Sequence, residues 1–196
     1  MSILVVEFKS MAEIHVPAPK YVLSNPDSEI NGLALMALEQ SSELEEFTDL
    51  LDKYGLRGIE GGRYYKMTTV MDYYREVMQR PNASTNFVSM GINVYKNVVL
   101  PEGVTTIEQG LGLLSQMISM NVTNEPGVGT WFEFEKVEDR HIRFIERTPF
   151  PHDLLYGYIF GTARRLAPEG TRPIVQRTYL NEADPNADGA IYDITW

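Results

Sequence analysis

Cysteine is absent from all 196 residues. That removes a disulfide framework, a thiolate nucleophile and every cysteine-based metal site. A cytoplasmic location is the simplest reading of the lack. Histidine is scarce, at three (His15, His141 and His152), and no HExxH spacing joins any two of them. No G-x-S-x-G elbow raises a serine nucleophile. Cations are outnumbered, 17 Lys and Arg against 27 Asp and Glu, for a net charge of −10. Such a surface repels a phosphate backbone unless a basic stripe offsets it. Arg164-Arg165, with Arg172 and Arg177 following, is too small a stripe, so no nucleic-acid partner is expected. No apolar run approaches the length of a membrane span. The opening MSILVVEF meets Glu7 and Lys9 at once and lacks the charged start and long apolar stretch of a signal peptide. The sequons at Asn82 and Asn121 then read as chance matches.

What remains is an ordinary globular composition, 43% hydrophobic and 22% charged, long enough to bury a sizeable core in one domain. SILVVEFK (2–9) is β-branched and extended, and EIHV (13–16) can pair with it. Asn25 as N-cap and Pro26 at the first helical position predict a helix reaching Gln40, with Ile30, Leu33, Met36, Ala37 and Leu38 as its apolar stripe. Ser42 with Glu45 forms a capping box for a second helix, ended by Gly55. A loop over 58–63 precedes a helix capped by Thr68 or Thr69 and stopped by Pro81. Asn82 or Ser84 opens the next, which buries Phe87, Val88, Gly91, Val94 and Tyr95. Thr105 with Glu108 reads as a further capping box.

The period then changes from helical to alternating. GTWFEFEKV and HIRFIERT are strands joined by a turn at EDR, with Phe132 and Phe134 on one face and Trp131 on the other. A helix follows over 151–166, stopped by Pro168-Glu-Gly170. RPIVQRTYL (172–180) and AIYDITW (190–196) are strands joined by NEADPNADG. The C-terminal third therefore reads β-β-α-β-β behind a mostly helical half. The expected fold class is α+β, with helices packed on a mainly four-stranded antiparallel sheet.

The helix over 151–166 is the densest stretch. Gly157 and Gly161 lie one turn apart on one face, and each glycine inside a helix costs about 1 kcal/mol against alanine. Close approach of another element or of a ligand is the reason to keep them, with packing on the sheet the plainer of the two. Tyr156, Tyr158 and Phe160 cannot share one helical face. Arg164 and Arg165 sit in the last turn, where cations complement the helix dipole. His152, at the helix start, suits a cap or a surface position. Asp184, Asn186, Asp188 and Gly189 match the first half of a calcium loop, but the twelfth position is Thr195 rather than glutamate. A hairpin turn at Asp188-Gly189 accounts for the stretch, and tight calcium binding is not expected.

From Gly129 to the end, the order of hairpin, Y-G-x-x-x-G-x-A helix (Tyr156 to Ala163) and closing hairpin resembles the 4-vinyl-reductase-type domain. That domain belongs to a wider group with the haem nitric-oxide-binding domains and the TRAPP transport subunits. The resemblance covers residues 85 to 196. It implies an antiparallel sheet with helices around it, an apolar pocket, a dimer, and in several members a sensory role in bacterial regulators. The zinc-binding cysteines of the first type, the Tyr-x-Ser-x-Arg signature and proximal histidine of the haem sensors, and the acylated cysteine of the TRAPP subunits are all missing here. No zinc or haem is therefore expected.

The expectation is a single domain over 1–196, with 1–84 a strand-and-helix elaboration and 85–196 the ligand-binding core. Its function is to bind or sense a small apolar or aromatic molecule, as a homodimer in the cytoplasm and without a cofactor. The pocket is assigned to Trp131, Phe132, Phe134, His152, Tyr156, Gly157, Tyr158, Phe160, Gly161 and Arg164. Two alternatives stand beside it. One is an enzyme using Tyr156, His152, Asp153 and Glu146 for acid–base chemistry on a hydrophobic substrate. The other is a purely structural dimeric scaffold.

Overall fold

The computed structural model describes residues 17–40 and 47–196. The strands expected at 2–9 and 13–16 and the Ser42–Glu45 capping box lie outside these residues. The order is β1 (Glu29–Asn31), α1 (Gly32–Gln40), α2 (Thr48–Tyr54), β2 (Tyr64–Lys66), α3 (Met67–Val77), α4 (Ala83–Asn97), α5 (Ile107–Asn121), β3 (Val122–Thr123), β4 (Phe132–Glu138), β5 (His141–Glu146), α6 (His152–Leu166), β6 (Ile174–Tyr179) and β7 (Ala190–Thr195). The class is α+β, as expected, with helices packed on antiparallel sheets. A small sheet runs β2-β1-β3 and the main one β4-β5-β7-β6.

The helical half departs from its local signals wherever a distant group intervenes. Asn25 caps no helix. The Glu125 carboxylate accepts the backbone N–H groups of Ser24 and Asn25 and the Ser28 hydroxyl. Those contacts hold residues 24–28 in a turn, after which 29–31 pair with β2 and 29–30 also with β3. Helix α1 begins only at Gly32. Helix α3 starts one residue ahead of the threonines expected to cap it, because the Met67 N–H donates to Ser28 O at 2.9 Å and pins the turn there. The capping box of α5 sits one residue later than read: Gln109 N donates to Thr106 Oγ1, and Gln109 Oε1 accepts the N–H groups of Thr105 and Thr106. Gly55 does end α2 in the left-handed conformation that favours glycine, at φ 63°.

The sheet follows the alternation closely. Phe132, Ile142, Phe144, Tyr192, Ile194 and Val175 share its inner face, as the register requires. Trp131 precedes β4, at the end of a 3-10 turn, rather than lying within the strand. Helix α6 lies between this inner face and α4. Its contact with α4 is the most extensive between helices among the described residues. A Cβ on Gly157 would lie 2.3 Å from Val88 O, and one on Gly91 would lie 2.4 Å from Leu154 O. The two backbones meet where neither has a side chain, so the glycines serve packing of helix on helix, not of helix on sheet. Buried residues of both halves, from Ile30 and Phe47 to Tyr192 and Ile194, form one continuous hydrophobic cluster. No helix among the described residues is long and apolar enough to cross a membrane.

Candidate functional site

Polar groups converge at the start of α6. Strand β5 places alternate residues on the inner sheet face, Ile142, Phe144 and then Glu146, whose side chain is 0% exposed. The chain turns at once. Thr148 donates its N–H and its hydroxyl to Glu146 Oε2, both at 3.0 Å, and Thr148 Oγ1 accepts the Phe150 N–H. Pro151 precedes the first helical residue, His152. Lys20, 126 positions away, points its ammonium into this turn, 2.7 and 2.8 Å from the two Glu146 oxygens and 2.7 Å from Thr148 O.

His152 is buried, against the surface position expected of it, at 7% exposure. Its Nδ1 lies 2.7 Å from Glu146 Oε1 and its Nε2 2.8 Å from Pro185 O. Each ring nitrogen therefore faces an oxygen acceptor of the protein. Burial pushes the Glu146 carboxyl up, but the Lys20 ammonium and the His152 ring outweigh it and bring the group down to about 2. Burial likewise pulls Lys20 below its ordinary value, while the Glu146 charge opposes it. Around this triad lie the Tyr192 hydroxyl, donating to His152 O at 3.2 Å, and the Tyr179 ring, 5.0 Å from the His152 ring.

Beyond it is a half-buried rim. Arg177 donates to Asp153 Oδ1 at 2.8 Å and stands over the rings of Tyr156 and Tyr179, 5.7 and 5.2 Å from their centroids. Tyr156 stacks on Phe160 at 6.2 Å with 5° between planes, and tilts toward Tyr192. The four residues of the acid–base alternative, Glu146, His152, Asp153 and Tyr156, thus do gather. The inner ones are bound to each other. All three ammonium hydrogens, both histidine nitrogens and both Glu146 oxygens have protein partners, which suits holding a shape rather than moving a proton.

The ten residues expected around a pocket fall into several surroundings. His152, Tyr156 and Phe160 belong to the cluster and rim just described. Gly157 and Gly161 face α4. Tyr158 lies beside Tyr74 of α3, and burial pushes its hydroxyl up to about 12. Trp131 packs edge-on against Phe150 at 5.9 Å, Phe132 lies 5.5 Å from Phe144, and Phe134 is half-buried. Tyr74 and Phe87 extend that aromatic wall through Phe150. Arg164 is exposed. Arg165 serves another helix: it donates to Tyr95 O and Val98 O, both at 2.7 Å, at the C-terminal end of α4. A shallow groove of about 330 Å³ lined by Tyr54, Asp72, Arg75, Glu76 and Gln79 lies apart from all ten.

Sequence reasoning missed Lys20, which sits in a proline-flanked segment with no pattern. Glu146 was legible in principle, as a carboxylate at the inward position two residues after Phe144. In the 181–189 loop, Asp188 turns inward to accept the N–H groups of Ala18 and Gly189, while Asp184 and Asn186 stay exposed. The calcium-like positions therefore do not converge, and among the described residues no group of three His, Cys, Asp or Glu is placed to hold a metal ion.

No protein-family model and no curated protein matches the chain. Solved structures do. An H-NOX protein from S. oneidensis in the Fe(II)NO state matches with a TM-score of 0.52 at 15% identity, over 83% of this chain and 94% of its own. An unliganded Fe(II) H-NOX point mutant from K. algicida gives 0.58 at 9% identity, over 85% and 96%. An H-NOX structure concerned with haem distortion gives 0.60 at 12% identity, over 85% and 95%. At such identities the likeness is one of fold, and the α+β fold of this chain is the fold of H-NOX domains.

Proposed function

We propose that this protein is a small-molecule-binding sensory domain, of the 4-vinyl-reductase type within the wider group that includes the H-NOX domains. The observation that carries the reading is the shared fold, which spans more than four-fifths of the chain. The saturated polar cluster at α6 supports binding over catalysis. The ligand is small and apolar or aromatic. Its place is beside α6, where the half-buried rings of Tyr156, Phe160 and Tyr179 leave apolar surface next to one cation, Arg177, a composition typical of such sites. The unit is residues 1–196, with 85–196 the ligand-binding core, working as a cytoplasmic homodimer whose signal a partner reads.

Haem, named for one of these neighbours, fits neither histidine among the described residues. Of the two described histidines, His141 Nε2 lies 2.7 Å from Asp193, and His152 has both nitrogens engaged. The rings of Tyr74, Phe87, Phe150 and Trp131 pack edge to face against one another. Native mass spectrometry of protein purified from cells tests the reading: a dimer mass carrying a small organic ligand is expected. A ligand-free monomer would overturn it.

A further inference from the structure

The Lys20 ammonium occupies a cradle that other residues build. Glu146 Oε1, Glu146 Oε2 and Thr148 O surround one nitrogen at 2.7, 2.8 and 2.7 Å, a tripod of acceptors matched to the three hydrogens of a primary ammonium. The carboxylate of the tripod is held without Lys20. Glu146 is fixed by Thr148 and by His152, His152 by Pro185 O, and the His152 carbonyl by Tyr192. These anchors belong to the β5–α6 turn, α6, β7 and the loop before β7.

The occupant comes from elsewhere. Residues 17–21 form no helix or strand. Apart from the ammonium, the bonds of this strap among the described residues are Ala18 N to Asp188 Oδ1, Lys20 N to Asn186 O, Tyr21 N to Pro149 O, and Arg75 to Tyr21 O. Being outside helix and sheet, it is the kind of segment that opens before the sheet beneath it does.

We infer that Glu146, Thr148 and His152 form a binding site for the primary ammonium of a small alkylamine, plugged in cis by Lys20. Opening of the strap offers the cradle to a competing amine, and closing excludes it. The charge balance favours this class of occupant. Without a cation in the tripod, the buried Glu146 carboxylate would lose its ammonium partner, and removing one partner of a buried ion pair is strongly unfavourable. The inference is independent of the ligand proposed at the aromatic rim, so native mass spectrometry can fail without touching it.

The test removes the plug. Lys20→Ala leaves a void shaped for n-propylammonium. The variant should melt below the parent, and propylammonium should raise its Tm along a saturating curve. Tetramethylammonium and 1-propanol at equal concentration and ionic strength should not. Adding Glu146→Gln to Lys20→Ala should abolish the rescue. Backbone amides 18, 20 and 21 should exchange on the order of a hundredfold faster in Lys20→Ala, and should stay fast in propylammonium while those of β5 and α6 regain parental protection. Equal rescue by tetramethylammonium, or no saturable rise, overturns the proposal. Should Lys20→Ala not fold, the parent decides: propylammonium should speed exchange at 18, 20 and 21 saturably. No acceleration beyond that in tetramethylammonium overturns it.

Discussion

Replacing Gly157 with alanine places a methyl group where α6 crosses α4. The new Cβ would stand 2.3 Å from Val88 O, 2.9 Å from Gly91 Cα and 3.0 Å from Val88 C. All three are backbone atoms of one helix, so no side chain can swing aside. The helices must part by about 1 Å to restore ordinary contact, which loosens the packing of Leu154 and Phe87 on either side. Overpacking of this kind costs about 1–3 kcal/mol, and a rigid backbone neighbour puts Gly157→Ala at the upper end. Against this stands the better helix propensity of alanine, worth up to about 1 kcal/mol. The net expectation is a loss of about 2 kcal/mol, or about 4–8 °C in Tm for a chain of this length. Gly112 is the control. It lies within α5, and a Cβ there meets nothing within 4 Å, so Gly112→Ala should stabilise by about 0.5–1 kcal/mol. Urea unfolding followed by circular dichroism, with the slope checked for constancy, measures both. A Gly157→Ala protein as stable as the parent would refute close backbone packing of α6 on α4.

Acid should weaken the fold through Glu146. Its folded-state value, about 2, lies below the ordinary 4.5. The stability it contributes is therefore complete above about pH 4.5 and lost as pH falls through about 2. It amounts to about 3 kcal/mol, and Glu146→Gln should flatten that part of a urea-midpoint profile against pH. Arg165→Ala leaves the Tyr95 and Val98 carbonyls to water and should cost about 1 kcal/mol, seen as faster hydrogen exchange confined to the last turn of α4. Gly161→Leu should cost more than Gly161→Ala, because a Cβ at 161 meets Ile92 Cα and Tyr95 Cβ at a marginal 3.3 Å while a leucine needs the space beyond. Purified protein should show no Soret band and no stoichiometric zinc by elemental analysis, and calorimetry should find no low-micromolar calcium site.

Local chemistry determined a great deal on its own. The alternation in 132–138, 141–146, 174–179 and 190–195 fixes strands because a period of two can bury one face only, and the short turn at 139–140 sets the register of the first pair. Gly55 and the Pro168-Glu-Gly170 stop mark helix ends because few backbone conformations suit those residues. The absence of cysteine settles its exclusions outright. Tertiary structure decided whatever depended on groups far apart in the chain. Asn25 reads as a helix cap until Glu125, a hundred residues on, takes its N–H. His152 reads as a surface residue until Glu146 and Pro185 close over its two nitrogens. Gly157 and Gly161 announce close approach, but which neighbour comes close is a property of α4, and the reciprocal glycine at 91 carries no mark of it. Lys20 sits in a proline-flanked segment that nothing singles out, and it becomes the central cation of a buried triad only when β5 ends beneath it. Periodicity records which side of an element is buried. Which buried charge meets which is set by the packing of whole elements, and that geometry is not encoded in any one of them.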